Sequence, residues 1–223
     1  MSTVAQPRPR RGISHAEAAR ILATRDEVVA RLLADAGLPR LRRPTESHFA
    51  TLVRAIVYQQ LAGSAAAAIH RRLTTALEDN VEPEELIALS AVTLRAVGLS
   101  ANKAASLQDL SAKVLDGSVA LSPRRLARQS DDEIVAQLST VRGIGPWTAQ
   151  MFLIFHLRRL DVWPTGDLGV RRGYGLAWNL PTPTARELEA LGDPYRPYRS
   201  VVAWYCWRAV ELYAGAADSA LTR

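Results

Sequence analysis

The chain has 223 residues, of which 48% are hydrophobic, and it carries a formal net charge of +6 with a sequence pI of about 10.0. This length and composition indicate a compact globular protein with a sizeable core, in one large or two small domains. The single cysteine, Cys206, excludes an internal disulfide, a zinc knuckle and a four-cysteine iron–sulfur cluster, and we expect it to be a core thiol.

The basic balance suits a polyanionic partner, although it does not prove one. The first 12 residues are basic and contain proline, which predicts a disordered tail. No apolar run approaches the roughly 20 residues of a membrane span, and the opening residues contain no apolar signal core. We therefore expect a cytoplasmic protein that makes no contact with membranes.

In chain order, the recurring feature is a hydroxyl residue followed three positions later by a glutamate, which is typical of helix starts. These pairs are Ser14 with Glu17, Thr24 with Glu27, Ser130 with Glu133, and Thr184 with Glu187. Helices are predicted over 14–22, 25–36, 45–60, 64 onward, 83–89, 91–97, 101–116, 123–128, 131–139, 167–178, 185–191 and 198–214. Strands are hard to find, so the predicted fold class is all-α.

The segment 141–146 is predicted to form a tight hairpin between two helices. Gly143 and Gly145 can both adopt positive φ, and Pro146 suits the first position of a helix. Without side chains, the glycines allow a phosphate to approach the unpaired amides at the start of the next helix. The hairpin is therefore predicted to bind the DNA backbone.

Asp167 follows the helix breakers Pro164 and Gly166, where the next helix should begin. As an N-cap residue its carboxylate would lie near the positive end of the helix dipole, which favours the ionised form. The alternative is an N-cap aspartate that has only a structural role and pairs with Arg171 one turn later. A fixed carboxylate beside a DNA-binding hairpin instead suggests chemistry on DNA.

Two stretches, Gly-Ile-Gly-Pro-Trp-Thr-Ala at 143–149 and Pro-x-x-Asp-Leu-Gly at 164–169, together resemble the helix-hairpin-helix (HhH-GPD) DNA glycosylase superfamily. Within it, the likeness is greatest to the alkylated-base branch, that of 3-methyladenine DNA glycosylase II. The resemblance also includes Ala-Ile-Val-Tyr-Gln-Gln at 55–60 and Pro-Tyr-Arg-Ser at 197–200. It spans roughly residues 45 to 213.

The resemblance implies two helical subdomains with a cleft between them for the damaged base. A middle domain would comprise 45–156, and 13–44 would pack with 160–223 into the second. In this arrangement Gln60, Trp147, Asp167 and Trp207 would meet in one cleft, although they are far apart in the sequence.

The resemblance further implies a monofunctional glycosylase that hydrolyses the N-glycosidic bond of alkylated purines in base excision repair. The substrates would be 3-methyladenine and 7-methylguanine, with hypoxanthine and ethenoadenine as further candidates. Asp167 would be the catalytic carboxylate, stabilising an oxocarbenium-like sugar and positioning water. Relatives that also cut the strand place a lysine where this chain has Trp147, so no lyase activity is expected.

Family positions also assign binding roles. The pocket for the extruded base would include Tyr58, Trp147, Met151 and Trp207, with the indoles stacking on a cationic base. Met151 replaces a tyrosine of the family, which leaves the substrate range open. Residues assigned to contact DNA are Gln59, Gln60, Leu61, Arg142, Gly143, Ile144, Gly145 and Thr148. Either Gln60 or Leu61 would be the wedge that fills the space left by the flipped nucleotide.

No cofactor is expected to be required. In the family the hairpin holds a sodium or potassium ion on backbone carbonyls, which here would be those of Ser139, Val141 and Ile144. The expected partner is double-stranded DNA containing damaged bases, and the protein is expected to be a monomer. Two alternatives stay open: a non-catalytic helix-hairpin-helix module for bent or damaged DNA, and a glycosylase for oxidised or mispaired bases.

Overall fold

The computed structural model describes residues 12–220, with side chains described as far as residue 214. The predicted basic tail lies almost entirely outside this range. The helices are α1 (His15–Ala23), α2 (Glu27–Ala36), α3 (His48–Tyr58), α4 (Gly63–Ala76), α5 (Pro83–Ala88), α6 (Ala91–Ala96), α7 (Ala101–Leu115), α8 (Pro123–Leu126), α9 (Asp131–Leu138), α10 (Pro146–Met151), α11 (Leu168–Trp178), α12 (Ala185–Leu191) and α13 (Arg199–Ala220). A π-helical turn covers Phe152–His156, and a 3₁₀ turn covers Asp193–Tyr195. The described range contains no strand, so the all-α prediction is confirmed.

The helices divide into two compact units. The middle unit comprises Arg43–His156, and the split unit combines the described residues up to Arg42 with those from Leu157 onward. The middle unit therefore contains α3 to α10 and the π-helical turn. The split unit contains α1, α2 and α11 to α13.

Local caps explain most helix starts. Ser130 and Thr184 form complete capping boxes with Glu133 and Glu187, as predicted. Ser14 also caps its helix, because its Oγ accepts from the amide of Glu17 at 3.1 Å. These short-range hydrogen bonds fix where α1, α9 and α12 begin.

The predicted cap at Thr24 is wrong. The N-cap of α2 is Asp26, whose Oδ1 accepts from the amide of Val29 at 2.9 Å. Thr24 instead closes α1, and its hydroxyl donates to the carbonyl of Ile21 at 2.8 Å. Aspartate is as good an N-cap as threonine, and here the hydroxyl is used by the preceding helix.

The core of the split unit is formed mainly by α11 and α13 packed with α1 and α2. Tyr174 and Trp178 stack on one face of α11, with ring centroids 4.1 Å apart. On α13, Cys206 is fully buried, which confirms the predicted core thiol. Burial and the nearby charge of Asp167 raise the pKa of the Cys206 thiol, so it stays protonated at neutral pH.

Candidate functional site

Asp167 is the N-cap of α11, as predicted. Its Oδ1 accepts from the amide of Val170 at 2.8 Å, and its backbone is extended with φ −76° and ψ 119°. The residue is 9% exposed. The carboxylate is therefore held at the positive end of an eleven-residue helix and is largely shielded from water.

The indole of Trp207, on α13, lies against this carboxylate. Its Nε1 donates to Oδ1 of Asp167 at 3.1 Å. The same oxygen thus accepts one backbone and one side-chain hydrogen bond. Arg171, the alternative partner from the sequence, directs its Nε to the carbonyl of Pro183 at 2.7 Å.

Two glycines of α11 allow the approach of α13. A Cβ on Gly169 would lie 2.9 Å from Cδ1 of Trp207 and 3.0 Å from Oδ1 of Asp167. A Cβ on Gly173 would lie 1.8 Å from the carbonyl oxygen of Cys206. Both glycines are thus needed for close contact, and they bring Trp207 within hydrogen-bonding distance of Asp167.

The start of α13 is anchored to the segment before α11. Asp161 accepts from Nε of Arg199 at 2.9 Å and from Nη1 of Arg196 at 3.0 Å. The buried hydroxyl of Ser200 accepts from the amide of Val162 at 2.9 Å. Arg199 and Ser200 thus fix the start of the helix that carries Trp207.

In the middle unit, the hairpin comprises residues 139–145 between α9 and α10. Gly143 adopts the predicted positive φ of 78°, and a Cβ there would lie 2.6 Å from Oγ of Ser106. The expectation of positive φ at Gly145 is wrong: this residue is the N-cap of α10 with φ −94°. Only one left-handed residue is required, because the extended Gly145 leads directly into Pro146 at the first helical position.

Gly145 still leaves the start of α10 open. A Cβ added there would meet no atom within 4 Å, so packing does not require a glycine. Its φ does not require one either. The missing side chain exposes backbone, which is what the approach of a phosphate needs.

The hairpin is braced by α7. Oδ2 of Asp109 accepts from the amide of Arg142 at 2.7 Å and from Nζ of Lys113 at 2.9 Å. Nζ of Lys113 also donates to the carbonyl of Thr140 at 2.5 Å. Desolvation raises the pKa of Asp109, but the hydrogen bonds from Arg142 and Lys113 and their positive charges outweigh it, so the pKa is lowered and this brace stays charged at neutral pH.

Several residues assigned to DNA contact support the hairpin from inside. Nε2 of Gln59 donates to the carbonyl of Gly143 at 2.8 Å and lies 3.5 Å from Oγ1 of Thr148. The side chains of Ile144 and Thr148 are buried, at 3% and 9% exposure. Side-chain contacts with DNA are therefore not favoured for Ile144 and Thr148.

Other assigned residues lie at the surface of the middle unit. Gln60 is exposed, and Leu61 and Trp147 are 40% and 51% exposed. Met151 is half-buried. The half-buried ring of Tyr58 lies near the ring of His70, with centroids 6.1 Å apart, and near the guanidinium of Arg54, whose carbon is 5.2 Å from the ring centre.

The predicted alkali-ion site fits the turn. The carbonyl of Val141 accepts from the amide of Ile144 at 3.0 Å, which leaves one lone pair on that oxygen. Among the described residues, the buried Oγ of Ser139 has no hydrogen-bond partner, so this turn contains one unsatisfied polar atom. Arg142 is exposed beside it, with Nη2 donating to Oδ1 of Asn102 at 3.1 Å.

Gly169, Asp109 and Lys103 are site residues to which the sequence patterns assigned no role. Gly169 could have been noticed, because a glycine in the first turn of a helix costs about 1 kcal/mol relative to alanine and so suggests close contact. The contacts of Lys103 with Val57 and of Asp109 with Arg142 gave no comparable signal, since these partners are backbone groups far away in the sequence.

The chain matches a known protein family and a curated relative. Residues 53–197 match the family described as HhH-GPD superfamily base excision DNA repair protein, and the chain belongs to it. DNA-3-methyladenine glycosylase 1 of Schizosaccharomyces pombe is 34% identical over 193 residues, which cover 84% of each chain. The predicted family resemblance is thereby confirmed.

Two solved structures of DNA glycosylases are also similar to this chain. A 3-methyladenine DNA glycosylase of Schizosaccharomyces pombe, in complex with abasic DNA, is similar with a TM-score of 0.73 and 32% identity, covering 87% of this chain and 97% of that one. A DNA-3-methyladenine glycosidase from Bacillus halodurans gives a TM-score of 0.81 and 30% identity over 89% of this chain and 91% of that one.

Among the described residues, no helix is both long and apolar enough to cross a membrane. The same range holds no group of three or more histidine, cysteine or acidic side chains suited to a metal ion.

Proposed function

We propose that this protein is a monofunctional DNA glycosylase that hydrolyses the bond between an alkylated purine and its deoxyribose, with Asp167 as the catalytic carboxylate. The observation that carries the proposal is the carboxylate held by Val170 and Trp207 at the start of α11, in a family of base excision repair proteins. Relatives named 3-methyladenine glycosylases support the substrate class.

The reaction breaks the bond between C1′ of the sugar and the ring nitrogen of the base, and the bonding electron pair leaves with the base. The sugar then resembles an oxocarbenium ion, and water adds to C1′ while losing a proton. A fixed carboxylate stabilises the positive sugar and can orient or deprotonate that water. Because Asp167 is largely buried, its charge acts through a medium that screens it less than water does.

An alkylated purine such as 3-methyladenine is already cationic, so it leaves as a neutral base and needs little help from an acid. We infer that one carboxylate suffices for that reason. The indole of Trp207, which lies against Asp167 in the split unit, is proposed to stack on the base. Stacking of a cationic base on an indole would contribute about 1–2 kcal/mol when desolvated.

The two lysines of the chain support hydrolysis without a lyase step. Lys103 donates to the carbonyls of Val57 and Gln59, and Lys113 donates to Thr140 and pairs with Asp109. Both ammonium groups are therefore engaged with the protein. A Schiff base would need a deprotonated lysine facing the sugar.

DNA is the proposed partner. The backbone of the hairpin would bind it, and Arg142 would lie close to a phosphate. A sodium or potassium ion on the carbonyls of Ser139, Val141 and Ile144 would add positive charge at that point when bound. The complex of a relative with abasic DNA supports this partner. The protein is proposed to act as a monomer.

The test is a panel of DNA duplexes carrying 3-methyladenine, 7-methylguanine, hypoxanthine, ethenoadenine or 8-oxoguanine, with release of each base measured. We expect release of the first two and none of 8-oxoguanine. A parallel reaction with borohydride should trap no covalent protein–DNA adduct. Release of 8-oxoguanine with a trapped adduct would replace the proposal by the oxidised-base alternative, and no release from any duplex would favour the non-catalytic module.

A further inference from the structure

The helix that braces the hairpin also holds the loop after α3. Nζ of Lys103, on α7, donates to the carbonyls of Val57 and Gln59 at 2.7 and 2.8 Å. These carbonyls lie at the end of α3, where the negative end of the helix dipole favours a cation. One ammonium therefore links the last turn of α3 to the first residue beyond it.

The chain turns sharply immediately after this link. Gln59 is extended with φ −55° and ψ 131°, and Gln60 adopts the left-handed conformation with φ 55°. A glutamine in this conformation is unfavourable on its own and needs support from its surroundings. Gln60 and Leu61 are both exposed at the tip of the turn.

The same turn is tied to the hairpin. The side chain of Gln59 donates to the carbonyl of Gly143, while its backbone carbonyl accepts from Lys103. On α7, the neighbour of Lys103 is Asn102, which accepts from the guanidinium of Arg142 at 3.1 Å. The turn and the hairpin are thus fixed to one rigid helix, and their relative position is set by it.

The use of lysine at position 103, rather than arginine, supports a specific role for this residue. The chain has 28 lysines and arginines, of which only Lys103 and Lys113 are lysines. Both lie on α7, and both donate to backbone carbonyls of these loops. A compact ammonium with three donors suits carbonyls that converge from different directions better than a planar guanidinium does.

We propose that Lys103 is a positioning residue that holds Gln60 and Leu61 as a rigid wedge, which enters the duplex when the damaged nucleotide is extruded. This inference rests on the proposed function, because a wedge is needed only if the enzyme flips a base. Without the ammonium, the turn loses both hydrogen bonds and the wedge relaxes. Extrusion from paired DNA then becomes slower, while the chemical step at Asp167 is unchanged.

The experiment compares Lys103→Met with wild type under single-turnover conditions on two substrates. In one, the alkylated purine is paired in a duplex; in the other, the same purine lies opposite an abasic site, where there is no partner base to displace. The variant should lose about tenfold or more in rate on the paired lesion but only about twofold on the unpaired one. Lys103→Arg keeps the charge and donors and should recover part of the loss.

Arg124→Met is the matched control, because it removes one positive charge from an exposed position of the same unit. Thermal unfolding of each variant separates loss of fold from loss of positioning. Equal losses of Lys103→Met on both substrates, or no loss on the paired lesion, would overturn the proposal.

A second readout separates this inference from the proposed function. 2-Aminopurine opposite or beside an abasic analogue in duplex DNA reports opening of the stack when the protein binds. Lys103→Met should reduce the fluorescence rise seen with wild type at saturating protein. If wild type releases no base at all, the proposed function fails, and this signal still decides the role of Lys103.

Discussion

The indole Nε1 of Trp207 donates to Oδ1 of Asp167 at 3.1 Å, across 40 residues of sequence. A tryptophan assigned to base stacking thus also binds the carboxylate that is proposed to stabilise the sugar cation. Any change of Trp207 should therefore affect the carboxylate as well as the pocket. The two roles can be separated by substitutions that keep a ring and remove the donor.

Trp207→Phe should lower the rate of base release by about ten- to a hundredfold, because a hydrogen bond to a charged acceptor contributes about 1.5–3 kcal/mol. The aromatic face remains, so binding of duplex DNA with an abasic analogue should change little. Single-turnover kinetics and a binding titration measure the two effects. Trp204→Phe, three residues earlier on α13, is the control and should leave the rate near that of wild type. A rate unchanged in Trp207→Phe would show that the hydrogen bond is dispensable.

Gly169→Ala tests the close approach of Trp207. The added methyl group would lie 2.9 Å from the indole and 3.0 Å from the carboxylate, so one of them must move. Misplacement of about 1 Å can cost about a hundredfold in rate, and we expect a loss of at least tenfold. Gly166→Ala is the matched control, since a methyl group there meets no atom within 4 Å. Equal activity of the two variants would contradict the packing argument.

Gly173→Ala should act on stability rather than on the site alone. Its Cβ would lie 1.8 Å from the carbonyl oxygen of Cys206, so the backbones of α11 and α13 must separate. Overpacking of this kind costs about 3 kcal/mol or more when backbone has to shift. Chemical denaturation should show this loss in the free energy of unfolding. A variant as stable as wild type would mean that the crossing of the two helices is looser than described.

Local sequence was sufficient for most helix starts and for the position of Asp167. Hydroxyl and carboxylate residues at spacing three predict capping hydrogen bonds that need no tertiary information, and Pro164 with Gly166 marks the break before α11. The error at Thr24 arose where two good caps lie two residues apart, and the preceding helix uses one of them.

Hydrogen bonds between residues far apart in the sequence could not be predicted from local patterns. The hydrogen bond from Trp207 to Asp167 depends on how closely two helices cross, which is set by Gly169 and Gly173 rather than by periodicity. Likewise, Lys103 binds the carbonyls of Val57 and Gln59, and Asp109 binds the amide of Arg142, and backbone partners of this kind leave no trace in the sequence. The predicted convergence of Gln60, Trp147, Asp167 and Trp207 in one cleft stays a prediction.

Stability should fall in mild acid because of a histidine pair in the middle unit. Nδ1 of His48 lies 2.6 Å from Nε2 of His156, whose Nδ1 contacts Oγ1 of Thr51 at 2.9 Å. Burial and the neighbouring His48 lower the pKa of His156 to about 4 from the ordinary 6.5. The unfolded chain therefore takes up a proton first, and the stabilisation is complete above pH 6.5 and is lost progressively as the pH falls toward 4.

His156→Gln tests this dependence. The unfolding temperature of wild type should drop between pH 7 and pH 5, and the variant should show a drop smaller by about 2–4 °C. His15, whose pKa is also lowered to about 4 by burial and by Arg158, contributes in the same direction and remains in both proteins. Identical pH profiles for the two proteins would exclude His156 as a source of the effect.

The most direct test of the central claim is base release by Asp167→Asn. Asparagine keeps the N-cap hydrogen bond and the acceptor for Trp207 but removes the charge. Release of 3-methyladenine from alkylated DNA, measured in single turnover, should fall by about a hundred- to a thousandfold. Affinity for duplex DNA with an abasic analogue should stay within about threefold of wild type, a difference below 1 kcal/mol. Release by the variant at the rate of wild type would contradict the catalytic role of Asp167.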